Sequence, residues 1–336
     1  MHMADALIAP AVAATMYVAS SGAAAFSVNK VRLEQDIKKI PLMGVMSAFV
    51  FAGQMINFTI PGTGSSGHLC GGLLLSILLG PYAGFLSMIS ILAIQALLFA
   101  DGGILALGSN IWNMAFYACF IGYALIYKPF IKKNMNKGRI MLVSIIASMV
   151  SLQLGAFSVT LQTLASGITE LSFGQFLLFM QPIHLAIGAV EGVITGAVVI
   201  FIHSTRPELL TDSKVENKLG FKHVLAILSI LVVVIGGGLS LIASGNPDGL
   251  EWSIENVTGS TELEPQSEHA EATKGAAGLQ EKTALLPDYA FKNNDSVLGT
   301  SFSGVVGAGV VAVVSLGCLA LIRLFKKKDF VKESSR

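Results

Sequence analysis

The sequence predicts an all-α, polytopic membrane helix bundle of about nine spans. Three observations predict it. Charged residues make up 13% and hydrophobic residues 53% of the 336 positions, whereas an ordinary soluble domain carries about 25% charge. Apolar runs near the roughly 20 residues that cross a bilayer recur along the chain. Lys and Arg gather in four clusters beside those runs, the pattern of cytoplasmic loops. A net charge of +1, segregated in this way, gives no sign of a nucleic-acid partner.

The spans fall at roughly 4–27, 41–60, 104–127, 140–163, 176–203, 223–243 and 302–324. The apolar stretch 69–100 is too long for one straight span and is split by Gly80-Pro81, since proline breaks a helix interior. Lys30, Arg32, Lys38 and Lys39 form the first basic cluster, and Lys128, Lys132, Lys133, Lys137 and Arg139 the second. Arg206, Lys214, Lys218 and Lys222 form the third, and Lys326, Lys327 and Lys328 the last. No Lys or Arg lies between Lys39 and Lys128, so an even number of crossings is expected there. Counting 69–80 and 82–100 as two crossings gives nine, with the N-terminus outside and the C-terminus cytoplasmic. A cleaved signal peptide competes for residues 1–27. Such peptides start with a basic region, and here the first five residues hold Asp5 and no Lys or Arg, which favours a retained helix.

Three parts follow from composition: residues 1–205 as a seven-span unit, 206–222 as a cytoplasmic linker, and 223–336 as a two-helix unit. The last encloses an external loop, 244–300, with ten acidic residues against three lysines. The loop reads as a solvated spacer, although its charge could also concentrate cations. Within it, Pro247-Asp248-Gly249 is a turn signal. Cys70, Cys119 and Cys318 follow no metal or disulfide spacing and read as small buried apolar groups.

The start of the chain carries the most specific chemistry. A terminal amine, the His2 amide nitrogen and the His2 imidazole can close two fused chelate rings on one ion, leaving one position of the plane open. Planar nitrogen sets suit Ni(II) or Cu(II). His68, at the end of the Gly- and Ser-rich loop 61–68, is a candidate fourth donor, and the expected topology puts it on the same side of the membrane as Met1. Gln54, Asn57, Ser65, Ser66, Asp101, Asn110 and Asn113 are polar groups near these positions that could orient the imidazoles or join helices. His184 and Glu191, seven apart in one span, lie on roughly one helix face. A structural polar pair is the favoured reading. A proton relay in a stand-alone secondary metal transporter is the alternative function. An intramembrane enzyme using His68 and Asp101 is a third possibility, but no His-Glu-x-x-His or nucleophile-elbow pattern accompanies them. Small residues of the first span (Ala9, Ala13, Ala19, Gly22, Ala23) could admit another helix closely.

Met1-His2-Met3-Ala4-Asp5-Ala6-Leu7, Gln54 to Phe58 with Gly64-Ser65-Ser66-Gly67-His68, and Asp101-Gly102-Gly103 through Asn113 closely resemble the CbiM/NikM substrate-binding subunits of cobalt and nickel energy-coupling-factor transporters. The resemblance covers about residues 1–205. The remainder, with Pro247 to Trp252 and Leu286-Pro287-Asp288-Tyr289, resembles the small two-helix companion subunit, here fused. The resemblance implies Met1, His2 and His68 as ligands of Ni(II) or Co(II), carried as substrate with no cofactor. It also implies a prokaryotic cytoplasmic membrane and separate partners: a transmembrane coupling subunit and two ABC-type ATPases. The absence of a Gly-x-x-x-x-Gly-Lys-Ser/Thr loop agrees with a chain that is not itself an enzyme. Cys70 departs from the small residue expected there.

Overall fold

The computed structural model describes residues 1–31, 39–132, 135–210, 219–266, 269–292 and 296–334. The side chains of Lys39 and Val297 and those beyond Ile322 are outside that description. Arg32, Lys38, Lys133, Lys214, Lys218, Glu268 and Asp295 lie outside the described residues, as do the side chains of Lys326 to Lys328.

Among the described residues, seven helices are long and apolar enough to cross a membrane. Helix α1 (Pro10–Lys30) begins where Pro10 takes the first-turn position, for which its fixed φ and missing N–H suit it. The first nine residues are therefore not the start of a span at 4–27. They run into the bundle, with a single 3-10 turn at Asp5–Leu7, and Met1 and Met3 are buried. Helix α2 (Lys39–Gln54) has 16 residues, about 24 Å, and gives way to a two-residue antiparallel pair, β1 (Phe58–Thr59) and β2 (Ser66–Gly67), with Phe58 opposite Gly67.

Helix α3 (Gly72–Leu79) has eight residues, about 12 Å, too short to cross alone. It turns at Gly80 into α4 (Pro81–Ile94), which continues in a wider-wound segment, Gln95–Phe99. The expected break at Gly80-Pro81 is there, but the segment before it dips into the bundle. Next, α5 (Leu107–Asn110), a wider-wound segment (Ile111–Tyr127) and α6 (Lys128–Ile131) form one continuous apolar helix.

Helices α7 (Lys137–Ala165) and α8 (Phe173–Thr205) make the most extensive pairing in the fold. Its cause is a stripe of glycines four apart on α8. A Cβ on Gly188 would stand 2.8 Å from Met149 Cα, and one on Gly192 would stand 2.3 Å from Ile145 Cα. Small residues at that spacing let backbones approach closely in a membrane. The first span, by contrast, meets nothing within 4 Å of a Cβ placed on Gly22.

The final unit does not stand apart. Helices α9 (Phe221–Gly237) and α12 (Val297–Ser334) pack on each other and on α2. Arg206 closes the linker, pairing with Glu208 and donating to Leu219 O at 2.8 Å. The segment expected as a solvated spacer folds into α10 (Gly249–Thr258), which lies on α8, and α11 (Ala270–Thr283), which lies over Asp5–Leu7 and Gln95–Phe99.

Candidate metal centre

The buried N-terminus is held through the backbone of Met3 and the side chain of Asp5. Met3 N–H donates to Asn110 Oδ1 at 2.7 Å, and Asn110 Nδ2 donates back to Met3 O at 3.1 Å. Gly103 N–H donates to the same carbonyl at 2.9 Å, and Ala106 N–H donates to Asp5 Oδ1 at 3.0 Å. Residue 103 must be glycine: a Cβ there would lie 1.8 Å from Asp5 Oδ1 and 2.5 Å from Asp5 N. Asn113 exchanges amide hydrogen bonds with Gln162 at 2.8 and 2.9 Å, behind Met3.

This threading brings the terminus to His68. The Met1 ammonium lies 3.4 Å from His68 Nε2, and the His2 and His68 rings stack with centroids 5.2 Å apart. His68 Nδ1 lies 3.2 Å from Leu69 O. A carbonyl only accepts, so that contact places the proton on Nδ1 and leaves a lone pair on Nε2 facing the amine. Two nitrogens bound side by side at about 2.0–2.1 Å from one ion stand roughly 2.9 Å apart, so a shift of about half an ångström brings amine and imidazole to bonding positions.

His2 is set among acceptors. Its Nδ1 lies 3.1 Å from Asp101 Oδ1 and its Nε2 lies 3.3 Å from Gln95 Oε1. Burial lowers the imidazole from 6.5 to about 4, with the nearby Asp101 charge only partly offsetting it, so the ring is neutral at physiological pH, the state a metal ligand requires. A chain of polar groups continues behind it. Tyr289 OH donates to Asp101 Oδ2 at 2.5 Å, Gln95 Nε2 donates to Tyr289 OH at 3.2 Å and to Gln54 Oε1 at 2.9 Å, and Gln54 Nε2 donates to Cys70 O at 2.8 Å.

The acidic loop completes the site. The Met1 ammonium donates to Asp248 Oδ2 at 2.8 Å, and His68 Nε2 lies 3.7 Å from the same oxygen. Burial opposes the charge on Asp248, but the Met1 ammonium outweighs it and holds the carboxyl well below the usual carboxylate range. Asp248 also caps α10: its other oxygen accepts from Leu250 N and Glu251 N at 2.7 and 2.9 Å, while Glu251 Oε2 accepts from Asp248 N at 2.9 Å. Main-chain ties fasten this corner to the histidine loop. Ser244 N–H donates to Asn57 O at 2.7 Å and Ser66 N–H to Pro247 O at 2.8 Å. Ser66 Oγ donates to Asn246 O at 2.8 Å and Trp252 Nε1 to Thr63 O at 2.9 Å. Ser65 Oγ donates to Ser66 O at 3.1 Å.

A family profile described as the CbiM cobalt uptake substrate-specific transmembrane region matches residues 2–209. The chain belongs to the CbiM family. A second profile, the PDGLE domain, matches residues 222–324 and so carries Asp248 and Tyr289 into the CbiM site. A chain of Archaeoglobus fulgidus named as a fused nickel transport protein NikMN is 35% identical over 94% of this chain and 97% of its own. The fused nickel transport protein NikMN of Rhodobacter capsulatus is 27% identical over 98% of this chain and 99% of its own. A crystal structure described as a truncated transition metal transporter is 35% identical, with a TM-score of 0.53, covering 60% of this chain and 98% of that one. With seven apolar helices of membrane-crossing length among the described residues, this CbiM-family chain is a multi-pass membrane protein of the nickel and cobalt transport group.

Within the CbiM fold, His184 and Glu191 engage different partners. The Glu191 carboxylate accepts from Cys70 N and Gly71 N, both at 3.0 Å, fixing the backbone just past His68. His184 Nδ1 donates to Met180 O at 2.8 Å. Cys70 is buried, its thiol 3.2 Å from Met114 O. The residues to which sequence reasoning gave no role at the site are Asp248, Gln95 and Tyr289. Asp248-Gly249-Leu250-Glu251 does carry the N-cap and N3 acid of a capping box, and Gln95 is a polar group inside an apolar run. Tyr289 stands in sequence only as the end of the segment Leu286-Pro287-Asp288-Tyr289, with nothing to point it at His2.

Proposed function

We propose that this chain is the substrate-specific component of an energy-coupling-factor importer for Ni(II) or Co(II). In this reading Met1 and His68 lie on the outer face of a prokaryotic cytoplasmic membrane and the C-terminus lies in the cytoplasm. The single observation that carries it is the meeting of the terminal amine with His68 Nε2 at 3.4 Å, beside the stacked His2 ring.

The ion is bound by the Met1 amine, the His2 amide, His2 Nδ1 and His68 Nε2. To close the six-membered ring, His2 Nδ1 turns away from Asp101, 3.1 Å from it in this structure. The amine and the His2 amide each lose a proton, and Asp248 loses its partner. Binding therefore releases protons and weakens as pH falls. Asn110, Asn113 and Ser66 position the backbone that presents the donors, while Asp101, Gln54, Gln95 and Tyr289 orient the imidazole of His2. Affinity order alone favours Cu(II), so preference for nickel or cobalt rests on geometry and supply. Hydrolysis of ATP belongs to two separate ATPase chains acting through a transmembrane coupling subunit.

The deciding experiment is calorimetric titration of Ni(II), Co(II) and Cu(II) into the full chain and into a version with one residue added before Met1. The addition moves the amine out of the chelate, so tight binding is lost while the folded protein remains. Undiminished affinity of the extended chain refutes the chelate. Metal uptake into vesicles lacking any ATPase chain, at the rate seen with it, refutes the importer assignment.

A further inference from the structure

The chain on either side of His68 runs through a narrow gap between α2 and α8. A Cβ on Gly67 would stand 2.6 Å from Ile187 Cγ1 on α8, and one on Gly71 would stand 2.3 Å from Val50 Cγ1 on α2. Gly71 also has a φ of +80°, which glycine adopts without strain. Into this gap α8 brings Glu191, which is 1% exposed. A carboxylate inside a membrane span is costly and is found where the protein uses it. Its two oxygens take two consecutive main-chain donors, Cys70 N–H on Oε2 and Gly71 N–H on Oε1, both at 3.0 Å. These amides lead into α3, whose start has no side-chain cap from its own first residue and where a negative charge is favoured.

The Cys70 N–H belongs to the same peptide group as Leu69 O. That peptide is trans, so its N–H and C=O point in opposite directions. Glu191 holds one end of the group, and the other end faces His68 Nδ1 at 3.2 Å. A hydrogen bond to a charged acceptor is about twice as strong as one between neutral groups. Drawing the N–H toward a negative charge also makes the carbonyl at the far end a stronger acceptor. The following peptide is fixed as well, with its N–H on Glu191 and its carbonyl, Cys70 O, accepting from Gln54 Nε2 at 2.8 Å. The direction of Leu69 O is therefore set from α8 and α2, outside the histidine loop.

We propose that Glu191 is the positioning residue of the metal donor His68. Through the Leu69–Cys70 peptide group it keeps the imidazole proton on Nδ1 and turns the Nε2 lone pair toward the Met1 amine, 3.4 Å away. The inference rests on the chelate of Met1, His2 and His68 and leaves its four nitrogens unchanged. Metal-binding histidines commonly donate their other ring N–H to a carboxylate or a carbonyl. Here the carbonyl takes that proton and the carboxylate stands behind it.

Heteronuclear NMR of the metal-free full chain, isotope-labelled at the histidine nitrogens and recorded where the imidazole is neutral, reads the tautomer of His68. A proton on Nδ1 is expected. A proton on Nε2 overturns the proposal without any variant having to fold. Glu191→Gln keeps the size of the side chain and removes its charge. Calorimetric titration of this variant with Ni(II) should show a roughly tenfold or greater loss of affinity. In a His68→Ala background, which retains the three-nitrogen chelate, Glu191→Gln should cost nothing further. A merely structural role would lower affinity by the same factor in both backgrounds. That result overturns the proposal, as does undiminished affinity in the single variant. The one-residue extension before Met1 separates the two readings. If the extension abolishes tight binding and Glu191→Gln costs as much without His68 as with it, the chelate stands and the Glu191 assignment falls. If the extended chain still binds tightly, the chelate itself has failed and takes the assignment with it.

Discussion

Met1 and Asp248 are 247 positions apart in sequence, yet the buried terminal ammonium and the half-buried Asp248 carboxylate form an ion pair at 2.8 Å. The pair joins the two halves of the chain at the point where metal is expected to bind. Removing one member of such a pair leaves the other charge buried and unpaired, which is more damaging than never having had the pair. Asp248→Ala is therefore expected to release the first residues from the bundle. Labelling of the terminal amine by an amine-reactive reagent, followed by mass spectrometry, should become severalfold faster. An unchanged labelling rate would show that the ion pair does not hold the terminus.

Asn110 makes both side-chain hydrogen bonds to Met3. Asn110→Ala strips a buried backbone donor and acceptor of that partner, a loss of about 1–3 kcal/mol. Metal affinity should fall roughly 10- to 100-fold, as it does when groups that orient ligands are removed. Calorimetry on the variant checks this, with Asn110→Asp as a partial rescue, since it retains the acceptor for Met3 N–H.

Gly103→Ala tests the threading by volume alone. The new methyl would overlap Asp5, so the N-terminal segment cannot keep its path. Tight Ni(II) binding should disappear while the helical circular dichroism is retained. Wild-type affinity in this variant would mean that the segment has another route to His68.

The pH dependence has a definite sign. Burial lowers His2 from 6.5 to about 4 in the folded chain. Between those values the undocked segment takes up a proton that the docked one refuses, so docking weakens as pH falls from 6.5 toward about 4. The Asp248 carboxyl, held well below the usual range, keeps its contribution through that interval and loses it only in stronger acid. His2→Gln should flatten the dependence of thermal stability on pH between 4 and 6.5. An equal slope in wild type and variant would remove His2 as its source.

Tyr289→Phe removes the hydroxyl that donates to Asp101 at 2.5 Å. A hydrogen bond to a charged group contributes about 1.5–3 kcal/mol. The variant should lose stability of that order and leave His2 less well oriented, so metal affinity should fall with it. A thermal melt and a titration on the same sample test both.

Much of the scaffold was legible because bilayer length and apolar runs are strong signals: 140–163 and 176–203 fall inside α7 and α8. Where the reading faltered, the local signal was ambiguous. Residues 4–9 are as apolar as a helix start, and only Pro10 marks the true one. The run 69–80 has the composition of a span, but its first turns are diverted to Glu191, which holds Cys70 N and Gly71 N. The histidines were legible as a pattern of donor types. In sequence Asp248 reads as part of a turn, because nothing local says that this turn lies against residue 1. Long-range pairing of that kind depends on the main-chain ties from Ser244 and Pro247 to the histidine loop, which no spacing encodes.

The fusion of the two units changes the kinetics of the Met1–Asp248 encounter. Carried on one polypeptide, the acidic corner meets the amine in a first-order step whose frequency does not depend on how much protein the cell makes. Such tethering sets an effective concentration that diffusion between separate subunits in a sparse membrane does not match. Severing the chain between Thr205 and Phe221 would turn the same contact into a dilution-sensitive equilibrium.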